Sequence, residues 1–548
     1  MTTRPHAVRF LAALGLVLGL TSPMMGHGGT AATTHAANAQ AAGAVLRISD
    51  EGESDLASID PPSPSAGDAQ ANVVENLVFG GLVRLDQNLQ VQPNAASSWT
   101  VSTDGKIYTF TLRPGLKWGD GTPVTAQDVV WSLTRAFSPA YAAGGVSFYL
   151  SHIVGGLDMA NGKAKTVKGL QAIGTNKVRI TLDQPAAVFL DDLAYSVAFL
   201  VPRAQVEKSG NNWTEHAAAL GPFIVKQWKH NQEIDLAPNP YYWRGTLKLG
   251  GAVVEFIKNT ETAYNLYRTG ALDVMGIVNF PGNHLKDVQG TPDFHTTPQL
   301  FTEFLVVNEH HAPLNNPLVR QALSYAVNRA TIVKLLDNRF LPASGMLPPG
   351  MPGYNKNLVG ETFDQAKAKQ LLAKAGYPGG KGFPSLTLNV DGGDNDGQTK
   401  AVALQEFWKQ VLGITVHLSQ LEHGAYTSAL TAHNFDLSAV QWGADYPDPQ
   451  DFLSLLLHTG VAFNNGYFSN KQFDTLTEAA DIMPHNSPAR YQKYQQAEQV
   501  LMNAAGCIVI DWGKTNVLIN PKVKGITLTA LGGGSLIIPP NWAGVTVQ

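Results

Sequence analysis

Residues Leu386-Thr387-Leu388-Asn389-Val390, with Ala401 to Val411 and Ile414 to Leu418 behind them, decide the fold. The first segment reads as a strand, the second as a helix and the third as another strand. That order is a crossover unit, so parallel strands are expected with the helix packed on their face. The chain is therefore placed in the α/β class. Between the first strand and the helix, Asp391-Gly392-Gly393-Asp394-Asn395-Asp396-Gly397 reads as a polar strand-to-helix loop. It fails as a calcium loop, because Gly392 stands where the first acid belongs and Ala403 where the closing glutamate belongs.

The same rhythm extends outward. Asn316-Pro317 opens a helix carrying Val319, Leu323 and Ala326 at helical spacing, and Asp364 caps another that stops at Gly376. Further upstream, Val45 to Ile48 and Ile107 to Leu112 read as strands and Asn72 to Leu82 as a helix. Thr125 followed by Asp128 predicts a capping box. Downstream, Gly506-Cys507-Ile508-Val509-Ile510 reads as a buried strand. In it Cys507, the only cysteine of the chain, serves as a small hydrophobe rather than a reactive thiol.

Composition narrows the class. The 548 residues are 15% charged and 44% hydrophobic, ordinary for a globular chain of about three domains. A net charge of -4 gives no basic footprint for nucleic acid and no polybasic patch for anionic lipid. Residues 1–41 read as an export signal. Arg4 and Arg9 precede the apolar stretch Phe10 to Leu20, and small-residue cleavage options follow at Ala37-Asn38-Ala39 and Ala39-Gln40-Ala41. The apolar stretch is too short for a spanning helix, which needs about 20 residues. No cysteine follows it to carry a lipid anchor, so a soluble periplasmic chain is expected.

Enzyme signatures are missing. There is no phosphate-binding G-x-x-x-x-G-K-[ST] loop, with Gln398 standing where its lysine would be, and no G-x-S-x-G elbow. Glu309-His310-His311 lacks the i, i+4 histidine pair that zinc needs, and one cysteine makes no C-x-x-C site. No catalytic residue, metal ligand or cofactor is assigned. The richest stretch is Trp442-Gly443-Ala444-Asp445-Tyr446-Pro447-Asp448-Pro449. Asp448 before Pro449 is a helix start, with the run Gln450 to Leu457 after it. Asp445 either caps a turn or holds a cation at a cleft. Because Asp448 already serves as the cap, the cation is the preferred reading.

Other segments join these in a fixed order: Ile59-Asp60-Pro61, Asn76 to Leu82, Leu112-Arg113-Pro114-Gly115-Leu116-Lys117-Trp118 and Asp120 to Val129. Gly221-Pro222-Phe223, Asn239-Pro240-Tyr241-Tyr242-Trp243, Asn265 to Asp273 and Val319 to Leu323 follow. With the Trp442 to Pro449 stretch they resemble the extracytoplasmic solute-binding proteins of peptide-type ABC transporters, the oligopeptide- and dipeptide-binding group, over nearly the whole mature chain. The resemblance implies a two-lobed periplasmic-binding-protein-like α/β fold with an additional inserted domain. Lobe I would comprise residues 44–85, 196–302 and 508–548, the inserted domain 86–195, and lobe II 303–507. Hinge crossings would lie near Phe301 to Val306 and Gly506 to Trp512. It also implies a monomer that captures a peptide between its lobes and delivers it to membrane permease subunits. Asp445 would hold the peptide's α-ammonium, and the backbones of Gln441 and Gly443 would pair with it in strand fashion. Trp442 and Trp512 either wall the pocket or pack in the core. Trp118 and Trp243 are expected to be scaffold.

One departure stands out. The family often places an arginine shortly before the Trp-x-x-Asp motif to meet the peptide's C-terminal carboxylate. Here Thr427 to Gln441 holds no Arg or Lys, and only His433 is basic. That departure speaks against short peptides of fixed length and leaves room for longer peptides, whose C-terminus need not be anchored there, or for a non-peptide cationic solute. The readings carried forward are a peptide receptor, a binder of another solute on the same scaffold (a glycan, a nickel chelate or an opine), and, from a different class, a secreted hydrolase.

Overall fold

The computed structural model describes residues 43–63, 69–141, 145–360, 362–532 and 536–548. The export signal expected over residues 1–41 lies outside them. The crossover unit forms one edge of an eleven-stranded mixed sheet. Strands Leu386–Asp391 and Val416–Leu421 pair in parallel, joined by helix Asn395–Leu412. This helix begins well before Ala401. Asp394 caps it by accepting the Gly397 N–H at 2.9 Å. The start is written in cap chemistry, which apolar periodicity does not mark.

From that edge the sheet runs through Leu437–Gly443, Phe294–Val307, Cys507–Ile519, Val274–Met275, Val45–Glu51, Gly251–Ile257 and Glu233–Pro238 to Phe223–Lys229. Two strands in its middle are unusually long: Phe294–Val307 with 14 residues and Cys507–Ile519 with 13. They pair antiparallel and cross between the chain's separate cores. Val517 and Ile519 pack into the same core as Leu46 and Val254. At the other end, alternation sends Leu305, Val307, Ile508 and Ile510 to one face of the sheet and Phe304, Val306, Cys507 and Val509 to the other. Cys507 is 1% exposed. The ladder breaks register between Pro298 and Thr302. In this bulge a side chain on Gly513 would lie 2.7 Å from the Phe301 Cβ, so the strand needs glycine there.

A second, four-stranded antiparallel sheet is built from Ala96–Val101, Ile107–Leu112, Lys177–Thr181 and Leu170–Ile173. The Thr125–Asp128 capping box forms at the start of helix Ala126–Ala136. Helix Ala69–Val78 stops short of Leu82. A Cβ at Gly81 would come within 2.5 Å of the Leu193 carbonyl, so the glycine pair is used for close chain approach, not for helix. After Asp448 the chain makes a 3-10 turn, Pro449–Asp451, and then the short helix Ser454–Leu457, a broken version of the expected run. No helix among the described residues is long and apolar enough to cross a membrane.

Candidate functional site

A cleft of about 470 Å³ opens where the sheet meets the loops around it. Gln441, Gly443, Ala444 and Asp445 form one wall, and Gly276, Val278, Asn279 and Phe280 face them. The crossing strands contribute Phe301, Gly513 and Lys514, while Arg339, Phe340, Asp394 and Asp396 close another side. Of the residues expected at the site, Asp445, Gln441 and Gly443 therefore meet on one cleft.

Asp445 lies in the turn that leaves strand Leu437–Gly443. Its carboxylate accepts from the hydroxyls of Tyr149 and Tyr195, and its own N–H donates to Asp451 Oδ2 at 3.1 Å. No salt bridge to Asp445 is recorded among the described residues. Burial pushes its carboxyl up to about 6, although the two tyrosine hydroxyls pull the other way. A carboxylate met only by neutral donors is suited to receiving a positive charge from a ligand.

Asp448, three residues on, shows the opposite arrangement. It is fully buried, caps the Pro449 turn through Gln450 N–H at 2.9 Å, and takes both arms of the Arg490 guanidinium at 2.5 and 2.8 Å. Its structural role matches the sequence expectation, and the bidentate pair adds to it.

The cleft strand has a free edge. Its pairing with Leu386–Asp391 covers only Leu437 and Ser438, while Phe294–Val307 pairs along its other side up to Gly443. The Ala439 carbonyl accepts the Tyr426 hydroxyl. Backbone groups alternate along a strand, so Gln441 and Gly443 turn theirs to the same edge as Ala439, where no strand among the described residues pairs with them. Gln441's side chain is tied down, donating to Asp394 at 2.7 Å and Glu303 at 3.2 Å.

The two candidate tryptophans are not on the cleft wall. Trp442 alternates away from Gln441 and Gly443. It packs edge-on against Phe463 with ring centroids 5.4 Å apart and donates its indole N–H to Asp451 at 3.2 Å. Trp512 is 5% exposed, donates to the Gly345 carbonyl at 3.0 Å and meets Tyr354 edge-on. Both take the core alternative, because they share a sheet face with Thr302, which pairs with each of them. Trp118 is buried scaffold, and Trp243 lies under the Arg113 guanidinium. Glu309, His310 and His311 each have a structural partner: Arg320 at 3.3 Å, the Tyr467 ring and Asp436 at 3.1 Å.

The cations missing from Thr427–Gln441 come from elsewhere. Arg339 lines the cleft but is paired with Asp396 at 2.6 Å. Lys514 also lines it, and no acid is recorded against its ammonium among the described residues. His433 stacks on Tyr467 and does not line the cleft. Sequence reading missed Tyr149, Tyr195, Arg339 and Lys514. Tyr195 and Arg339 reach the cleft, and Tyr149 reaches Asp445, only through tertiary folding. Lys514 lies two residues beyond Trp512, but the bulge at Phe301 disturbs the alternation that could have placed it.

Below the cleft sits a closed ion cluster. Lys400, on the capped helix, is 2.5 Å from Glu303 and 2.9 Å from Asp511, one acid from each crossing strand. All three are at most 2% exposed. Burial works against the lysine's charge, but the two carboxylates raise its pKa above the ordinary value. Lys400 also lies 4.0 Å from the Phe340 ring centre, which links the cluster to the cleft wall.

The model for bacterial extracellular solute-binding proteins, family 5 Middle, matches residues 90–464. An Escherichia coli protein named "Probable deoxycholate-binding periplasmic protein YgiS" is 32% identical, covering 87% of this chain and 89% of its own. The Escherichia coli periplasmic oligopeptide-binding protein OppA is 31% identical, over 86% and 88%. Among solved structures, the Escherichia coli murein tripeptide binding protein MppA aligns with a TM-score of 0.74 and 29% identity, over 90% of this chain and 98% of its own. The periplasmic oligopeptide-binding protein OppAIV of Borrelia burgdorferi gives a TM-score of 0.75 and 28% identity, over 90% and 100%. On the strength of these matches and of the sheet, crossing strands and cleft described above, the chain belongs to the family 5 bacterial extracellular solute-binding proteins.

Proposed function

We propose that the cleft captures short peptides for an ABC importer and hands them to the membrane permease. The observation that carries this reading is Asp445, whose carboxylate lines the cleft with hydroxyl partners and, among the described residues, no cation. It receives the peptide's α-ammonium. The strand edge at Gln441 and Gly443 pairs with the peptide backbone, and Lys514 takes a carboxylate of the same ligand. Main-chain pairing ignores side-chain identity, so broad specificity is expected. The role is binding rather than catalysis.

The division into lobe I (44–85, 196–302, 508–548), inserted domain (86–195) and lobe II (303–507) is proposed on the same footing. The four-stranded sheet falls within 86–195, and two long strands pass near Phe301 and Trp512. A second reading draws on the relative named for deoxycholate. Phe280, Phe301 and Phe340 give the cleft an apolar lining, with Lys514 beside it for an acid group.

Thermal shift and calorimetric titration separate the two. Tri-, tetra- and penta-alanine should raise the melting temperature by mass action, and D445N should abolish the shift. Stabilisation by deoxycholate alone, unaffected by D445N, would replace the peptide reading with the second one.

A further inference from the structure

Directly behind Asp445 lies a second acid that no part of the peptide reading uses. Asp451 is 0% exposed. Its Oδ2 accepts two donors, the Asp445 N–H at 3.1 Å and the Trp442 indole N–H at 3.2 Å. Its Oδ1 is buried with no hydrogen-bond partner among the described residues. The charged and titratable groups that face it are Asp445 and Asp448 on its own loop, Tyr446 beside it, and Tyr149 and Tyr195, whose hydroxyls meet Asp445. None is a cation, and Arg490 is committed to Asp448.

An ionised carboxylate here would leave one oxygen bare in a dry site next to Asp445, the worst case for a buried charge. A neutral carboxyl keeps both hydrogen bonds through its carbonyl oxygen and carries its proton on Oδ1. Burial and the nearby Asp445 charge both favour that form. We propose that Asp451 is a positioning residue that works as a neutral acid, fixing the Asp445 turn and the Trp442 indole while leaving Asp445 the single negative charge of that turn. Only the ligand arm of this proposal rests on the peptide reading. The Asp445 turn is then built to meet one positive charge, such as a single amine.

Infrared difference spectra of the unliganded protein near neutral pH test the protonation. The wild type should show a protonated-carboxyl C=O stretch that D451N lacks and D445N retains. Absence of that band from the wild type, or its persistence in D451N, would overturn the neutral acid. Hydrogen exchange at the Asp445 amide tests the positioning. D451L should speed it about tenfold or more, and D451N, which keeps an acceptor oxygen, should rescue protection. Equal protection in D451L and wild type would overturn the positioning role. With tetra-alanine as probe, D451L should bind about tenfold more weakly and D451N should restore affinity to within about threefold. A D451N loss as large as that of D445N would mean that the second charge is needed. If the wild type binds no oligoalanine, the peptide reading fails, and the spectra and exchange still decide Asp451.

Discussion

Two acidic regions border the same cleft and differ in one respect. Beneath it, Glu303 and Asp511 share the ammonium of Lys400 inside the core. On its wall, Asp445 meets two hydroxyls, and buried behind it Asp451 meets an indole and the Asp445 amide, with no cation against either among the described residues. The fold supplies its own countercharge in the first region; in the second, on the proposed reading, that part falls to the ligand. Buried charge that is already paired is architecture, whereas a rim carboxylate with neutral donors is a place where binding energy is available.

The sharpest way to break the comparison is to remove the internal countercharge. K400M should destabilise the protein by about 3–5 kcal/mol in chemical unfolding, because two buried carboxylates lose their partner. Adding E303Q and D511N to that variant should restore much of the loss. If K400M alone unfolds like the wild type, the cluster is not the fixed unit described here.

At the rim, the same neutralisation should leave the fold intact and cost binding instead. D445N should weaken peptide binding by about 2–5 kcal/mol in calorimetry, with the unliganded melting temperature unchanged or raised. A parallel loss of stability would make Asp445 another structural acid.

Acidity sharpens the distinction further. The Asp445 carboxyl titrates at about 6 in the folded protein against an ordinary value of 3.8. The folded form thus holds this proton more tightly, and its contribution to unliganded stability declines as pH rises through that interval. Ligand affinity should move the other way. It should climb as pH approaches about 6, level off, and fall above about 8 as the ligand's amine loses its proton. Calorimetric titration across pH gives this profile, and a flat affinity from pH 4 to 7 would contradict it.

The smallest effect is expected at Lys514. K514M should weaken peptides with a free C-terminus about three- to tenfold and leave C-terminally amidated peptides unchanged, in keeping with an exposed-to-half-buried charge pair. Equal losses for both would assign the lysine a packing role.

Much of this architecture was legible because local chemistry and tertiary context agree. The crossover unit, the Thr125–Asp128 box and the Asp448 cap are short-range signals, and each forms where expected. That Asp445 faces a cleft was legible by elimination, once Asp448 had accounted for the cap. The aromatic pair, left open between pocket wall and core, takes the core for a geometric reason. Trp442 and Trp512 both flank Thr302 across the ladder, so one sheet face takes both indoles, and strand register cannot be read from either segment alone. The cleft's tyrosines and cations come from segments distant in sequence, and no spacing rule connects Tyr149 or Arg339 to Asp445.

Cys507 gives the molecule one more property. An odd thiol on an exported chain invites dimers through mixed disulfides wherever the surroundings are oxidising. Set inside the first turn of a crossing strand's pleat at 1% exposure, this one is out of reach of such exchange. The native protein should therefore be silent towards maleimide dyes until it unfolds, and a pair of cysteines engineered onto its surface would be the only positions such dyes report.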